Sequence, residues 1–98
     1  MKMHDPPHPG ELLRELWLEP MKLSITAAAT HLKIFRKTLS EIVNARASVR
    51  SEMALRLELA FGKSAQPWLG HQAAYDLWQL DAKHQEMRIE RLAMPDAP

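Results

Sequence analysis

Residues 33–46 read KIFRKTLSEIVNAR, and the reactive side chains in this stretch are cations, hydroxyls, a single carboxamide and a single carboxylate. Wound as a helix, the segment places Arg36, Lys37, Ser40 and Asn44 on one face and Leu39, Ile42 and Val43 on the opposite one. Glu41 is the only carboxylate present, so the polar face donates hydrogen bonds and positive charge rather than moving protons. The surroundings strengthen the charge. From Lys22 to Arg50 there are six basic residues (Lys22, Lys33, Arg36, Lys37, Arg46, Arg50) against Glu41 alone, a balance of +5 in a chain whose net charge is +1. The remainder therefore carries −4. A basic region on an acidic body is the electrostatic footprint of a phosphate partner, although a solvated basic face without any partner gives the same pattern.

Other chemistry finds little support. The chain has no cysteine, which excludes a disulfide framework, a thiolate metal site and a catalytic thiol, and fits a reducing cytoplasm. His4 and His8 flank prolines that forbid a helix, so they make no preformed metal site, and His31, His71 and His84 are scattered. Glu11, Glu15 and Glu19 form a ridge at helical spacing, read as a solvated face rather than as paired catalytic carboxylates. Phosphate loops, dinucleotide fingerprints and nucleophile elbows are missing. The expectation is a non-enzyme without metal or cofactor. No apolar run is long enough to span a bilayer and no signal peptide is recognisable, so the chain reads as soluble and unexported.

The elements that must position these residues follow from punctuation and period. At 98 residues and 46% hydrophobic content, one globular unit is expected. A first helix opens near Pro9 and stops before Pro20, with Leu12, Leu13, Leu16 and Trp17 as its apolar stripe. Ser24 caps a second, alanine-rich helix (ITAAATHL), the third covers roughly 36–44, and residues 45–50 are a loop. Ser51 caps a fourth helix that Gly62 stops, and Ser64 begins a fifth, expected to be largely packed through Trp68, Leu69, Ala73, Leu77 and Trp78. From Tyr75 onward, the residues Tyr75, Trp78, Ala82, Ile89 and Leu92 trace a short, heptad-like seam interrupted at Gln85. It predicts a helical extension over 79–98 that docks on its own domain, frays, or meets a partner. No strand alternation appears, so the fold class is an all-α bundle of five helices over residues 1–78.

Two helices joined by a tight turn read duplex DNA only when they pack closely enough for the second to protrude into a groove about 12 Å wide. Close packing demands small side chains, which Ala28 and Ala29 provide, and Ala29, Lys33 and Leu39 keep the spacing of a helix-turn-helix over about 24–44. The likeness then widens. HPGELL with LEP following, RKTLSEIVN, SEMALRLELAFG and WLGHQAAYDLW occur in order within residues 8–78, about three quarters of the chain. In these pieces the chain resembles the HigA (VapI-type) antitoxins of the XRE, Cro/repressor-like helix-turn-helix family. The resemblance implies a five-helix lambda-repressor-like domain, a homodimer on an inverted-repeat operator in its own promoter, and a HigB-type ribonuclease toxin as partner.

Carried onto this sequence, the resemblance makes 36–44 the reading helix, with the turn at Lys33 to Phe35. It implies base contact by Arg36 and Lys37, base-edge or phosphate contact by Thr38 and Ser40, and backbone contact by Asn44, Arg46 and Thr26. Three positions depart from the family pattern. Lys33 stands where glycine is usual and must turn left-handed or reshape the turn; Phe35 stands where serine often caps the reading helix; Ile25 replaces a backbone-contacting glutamine. Phe35 could instead extend the core stripe four residues before Leu39. These departures keep two alternatives open, a helix-turn-helix scaffold retained as a protein-interaction module with weak or lost DNA binding, and a stand-alone XRE-type regulator without a toxin.

Overall fold

The computed structural model describes residues 5–96, within which every regular element is helical. In chain order these are α1 (Pro9–Leu13), a continuing wider turn (Arg14–Leu18), α2 (Ile25–Leu32), α3 (Arg36–Val43), α4 (Ser51–Phe61), α5 (Ala65–Gln79) and α6 (Asp81–Glu86). The first five helices close around Leu13, Leu39, Leu57 and Trp68, all fully buried.

α1 starts on a device that sequence reading passed over. His8 Nδ1 accepts a hydrogen bond of 2.9 Å from the Gly10 amide, and Pro9 fills the first helical position, where its missing N–H costs nothing. Gly10 lies buried where α1 crosses α3. A Cβ added there would fall onto the main-chain carbonyl group of Ile42, so only glycine lets the two backbones meet. The helix does not run on regularly toward Pro20 as expected. Its hydrogen bonds widen to a five-residue step, Glu19 N–H to Arg14 O at 2.9 Å, and the extra residue turns the apolar stripe. Leu13 and Leu18 are therefore buried, whereas Leu16, an expected stripe member, is 56% exposed.

Caps at the far end of the bundle also differ from expectation. Ser51 is the first residue of α4, preceded by Arg50 as the non-helical flank, and its hydroxyl caps nothing. Gly62 ends α4 with φ +86° as its type predicts. The first amide of α5, at Ala65, is satisfied across the turn by Glu58 Oε1 at 2.7 Å rather than by Ser64. α5 buries only Trp68 and Gln72. Its C-terminal half is less packed than expected: Ala73 and Leu77 are exposed, Leu77 to 62%, whereas Tyr75 and Trp78 are half-buried and Tyr75 meets the His8 ring edge-on at 4.9 Å. Trp17 leans on the Trp68 ring at 5.4 Å and on Phe61 at 6.2 Å, joining the wide turn to α4 and α5.

The helical extension is shorter than the heptad-like spacing suggested. α6 ends at Glu86, residues 87–96 have no regular structure, and Ile89 and Leu92 stand exposed instead of closing a seam or docking on the body. A radius of gyration of 17.3 Å, against ~13 Å for a compact domain of this length, reflects that projection.

Candidate nucleic-acid interface

The platform is the pair α2 and α3. Ser24 Oγ accepts from the Ala27 amide at 3.0 Å and fixes the start of α2, as its position predicted. Ala28 and Ala29 are buried, so α2 packs close behind α3 through Leu32, Leu39 and Ile42. Lys33 takes the left-handed conformation, φ +60°, in place of glycine. The turn closes as a Schellman motif, with Ile34 N–H on Ala29 O at 3.0 Å and Lys33 N–H on Thr30 O at 3.2 Å. The departure at Lys33 therefore leaves the turn intact, at the cost of a strained backbone position. A residue far along the chain braces it. Arg56 on α4 donates from Nη1 to the carbonyls of Leu32 at 2.8 Å and Lys33 at 3.4 Å, placing positive charge on the negative end of α2. Its spacing from the turn, 24 residues, carries no local signal.

The expected site residues fall into two groups. Arg36 and Lys37 are exposed at the N-terminal end of α3, and neither joins an ion pair among the described residues. Thr26, at the start of α2, lies beside Arg36: Arg36 Nε donates to Thr26 Oγ1 at 3.0 Å. That contact occupies Nε, and no described residue accepts a hydrogen bond from either Nη group, which keeps both as donors. Thr38 and Ser40 are half-buried on the flanks of α3. Asn44 and Arg46 gather at the other end, both exposed. Asn44 Nδ2 donates to Ser40 O at 2.8 Å, ending the helix with one of its two amide hydrogens. Ala45 follows in a left-handed conformation, φ +60°, and swings Arg46 out of the helix line.

Of the three departures, Phe35 departs furthest in its surroundings. It flanks α3 without any side-chain cap, and at 83% exposure it does not extend the core stripe. Ile25 is half-buried against the core, where it packs instead of donating. Beside Phe35 opens a cleft of about 690 Å³ between the start of α3 and the start of α4, lined by the apolar Ile34, Ile42 and Met53 and by the charged Lys33, Arg50, Glu52 and Arg56. Gln72, buried on α5, was not expected to matter. Its Oε1 accepts from the Val49 amide at 2.8 Å and its Nε2 donates to Asp76 at 2.9 Å, tying the loop after α3 to the body. The two histidines considered near the N-terminus separate: His8 is a helix cap, and His4 lies outside the described residues.

Comparison with known proteins agrees with this architecture. No protein-family model matches the chain. Virulence-associated protein A of Dichelobacter nodosus is 51% identical over 77 residues, covering 78% of this chain and 76% of that protein. Among solved structures, the antitoxin GraA superposes with a TM-score of 0.86 at 33% identity, over 92% of this chain and all (100%) of that one. The Pseudomonas aeruginosa antitoxin HigA, solved with the higBA promoter, superposes with a TM-score of 0.79 at 36% identity, over 90% of this chain and 99% of that one. On these likenesses the chain belongs to the HigA-type antitoxins of the XRE helix-turn-helix family.

Proposed function

We propose that this chain is a dimeric DNA-binding repressor and antitoxin. Two copies insert α3 into half-sites of an inverted repeat in their own promoter, about one helical turn or ~34 Å apart, and the same protein neutralises a HigB-type ribonuclease toxin. The observation that carries the DNA reading is the exposed, unpaired Arg36 and Lys37 at the N-terminal end of a helix braced from behind by α2 and by Arg56. Arg36 takes a guanine through its two free Nη groups, and Lys37 takes guanine or a phosphate. Thr38 and Ser40 touch base edges or phosphates, and Asn44 and Arg46 the sugar-phosphate backbone. Thr26 combines phosphate contact with holding Arg36. The toxin reading is supported by membership of the HigA group. No helix among the described residues is long and apolar enough to cross a membrane; action in the cytoplasm, without metal, cofactor or catalysis, belongs to the same proposal.

Gel retardation with the DNA upstream of the chain's own reading frame tests the repressor, and the identity of a small basic protein copurifying from cells tests the antitoxin. The duplex is expected to be retarded at about 50 mM salt and largely released by about 200 mM, since displaced counterions supply much of the affinity. No retardation at low salt would leave a protein-interaction module in its place.

A further inference from the structure

Resting on the DNA-binding reading above, we infer that Phe35 is a specificity residue, whose phenyl ring reads the 5-methyl group of a thymine next to the base pair addressed by Arg36. The residue immediately precedes Arg36 at the end of α3 that enters the groove, in extended backbone, φ −68° and ψ 143°. Its ring is 83% exposed, so it serves no core, and it has no polar atom with which to cap the helix or bind phosphate. Its exposed neighbours in sequence, Lys33, Arg36 and Lys37, are all cationic. An aromatic group on such an edge meets a DNA major groove in which the thymine methyl is the one apolar feature, and contact between phenylalanine and that methyl is an established pairing geometry.

The neighbouring surface suits the same ligand. Phe35 and Thr38, one turn apart, both line the mouth of the cleft walled by Ile34 and Met53, so a methyl group entering beside the ring finds apolar surface on more than one side. Lys33 and Arg50 line the same cleft and offer charge to the phosphates on either side of the base, while Glu52, which also lines it, is paired with Arg56 at 3.9 Å. Arg36, held by Thr26, stays clear of the ring and keeps its fork for the adjacent pair.

The test removes the methyl alone. Fluorescence anisotropy is measured on the retarded upstream duplex with each thymine replaced in turn by deoxyuridine, for the natural chain and for Phe35→Ser. The inference expects one position per half-site at which deoxyuridine weakens the natural chain about three- to tenfold, the loss expected for one methyl contact, and leaves Phe35→Ser unchanged. It is overturned if every substituted duplex binds within about twofold of the parent, or if Phe35→Ser loses as much at the same position. Failure of the natural chain to bind the unsubstituted duplex would instead overturn the DNA-binding reading itself. Phe35 is exposed, so Phe35→Ser keeps the fold, which far-UV circular dichroism checks.

Discussion

Arg36 and His8 show how single side chains set this molecule's behaviour. Arg36 owes its direction to Thr26, ten residues away, through a bond that only the packed helix pair can make. The exposed cation at the start of α3 was legible from residue type and spacing; the bond that orients it was not. His8 works at the other end of the body. Burial lowers its pKa below the ordinary value of 6.5, partly opposed by the Asp76 charge, a hydrogen bond to the Ala47 backbone and Glu11. His71 is lowered in the same direction, by burial and by Lys63, whose Nζ lies 3.0 Å from its Nε2. A base whose folded pKa lies below its unfolded one loses stability as pH falls, because the unfolded chain takes the proton first. Stability is therefore complete above about 6.5 and declines below it. Urea midpoints are expected to be lower at about pH 5.5 than at about pH 7.5, and His8→Asn, which can cap Gly10 through its own oxygen, should reduce the difference. An unchanged slope in that variant would show that His8 is not the titrating group.

At the scale of elements, backbone geometry at two positions makes opposite predictions. Gly10→Ala sets a methyl against the carbonyl of Ile42 where α1 crosses α3, and neither backbone can yield without moving its helix. A loss of about 3 kcal/mol or more is expected. Lys33→Gly relieves a left-handed side-chain residue and should raise stability by about 1 kcal/mol. Chemical denaturation of the two variants beside the parent checks both signs. The elements themselves were largely legible: Ala28, Ala29, Leu39 and Ile42 betray their packing by size and period, and Ser24 and Gly62 by their type. What escaped depends on contacts between distant segments or on hydrogen-bond register. The wide turn that buries Leu18 and exposes Leu16, the brace from Arg56 and the tether from Gln72 to Val49 leave no periodic trace. Of the courses left open for the segment beyond Trp78, docking on its own domain does not occur among the described residues: α6 ends at Glu86, and Ile89 and Leu92 stand exposed.

For the whole molecule, charge segregation is the property that matters most. A window of +5 within a chain of +1 falls on the segments that build α2, α3 and the loops beside them, so a weakly charged protein can still present cations to DNA there. A dimer doubles that charge and sets the half-site spacing. The exposed apolar residues Leu77 and Leu92 belong to α5 and to the segment after α6, outside that window of sequence. The account stands or falls on whether the start of α3 reads bases, and an anisotropy titration of Arg36→Ala against the natural chain asks this most directly. On the upstream operator the variant is predicted to bind about 1 to 3 kcal/mol more weakly and to lose its preference at one base pair per half-site. Affinity and base preference both equal to those of the natural chain would contradict it.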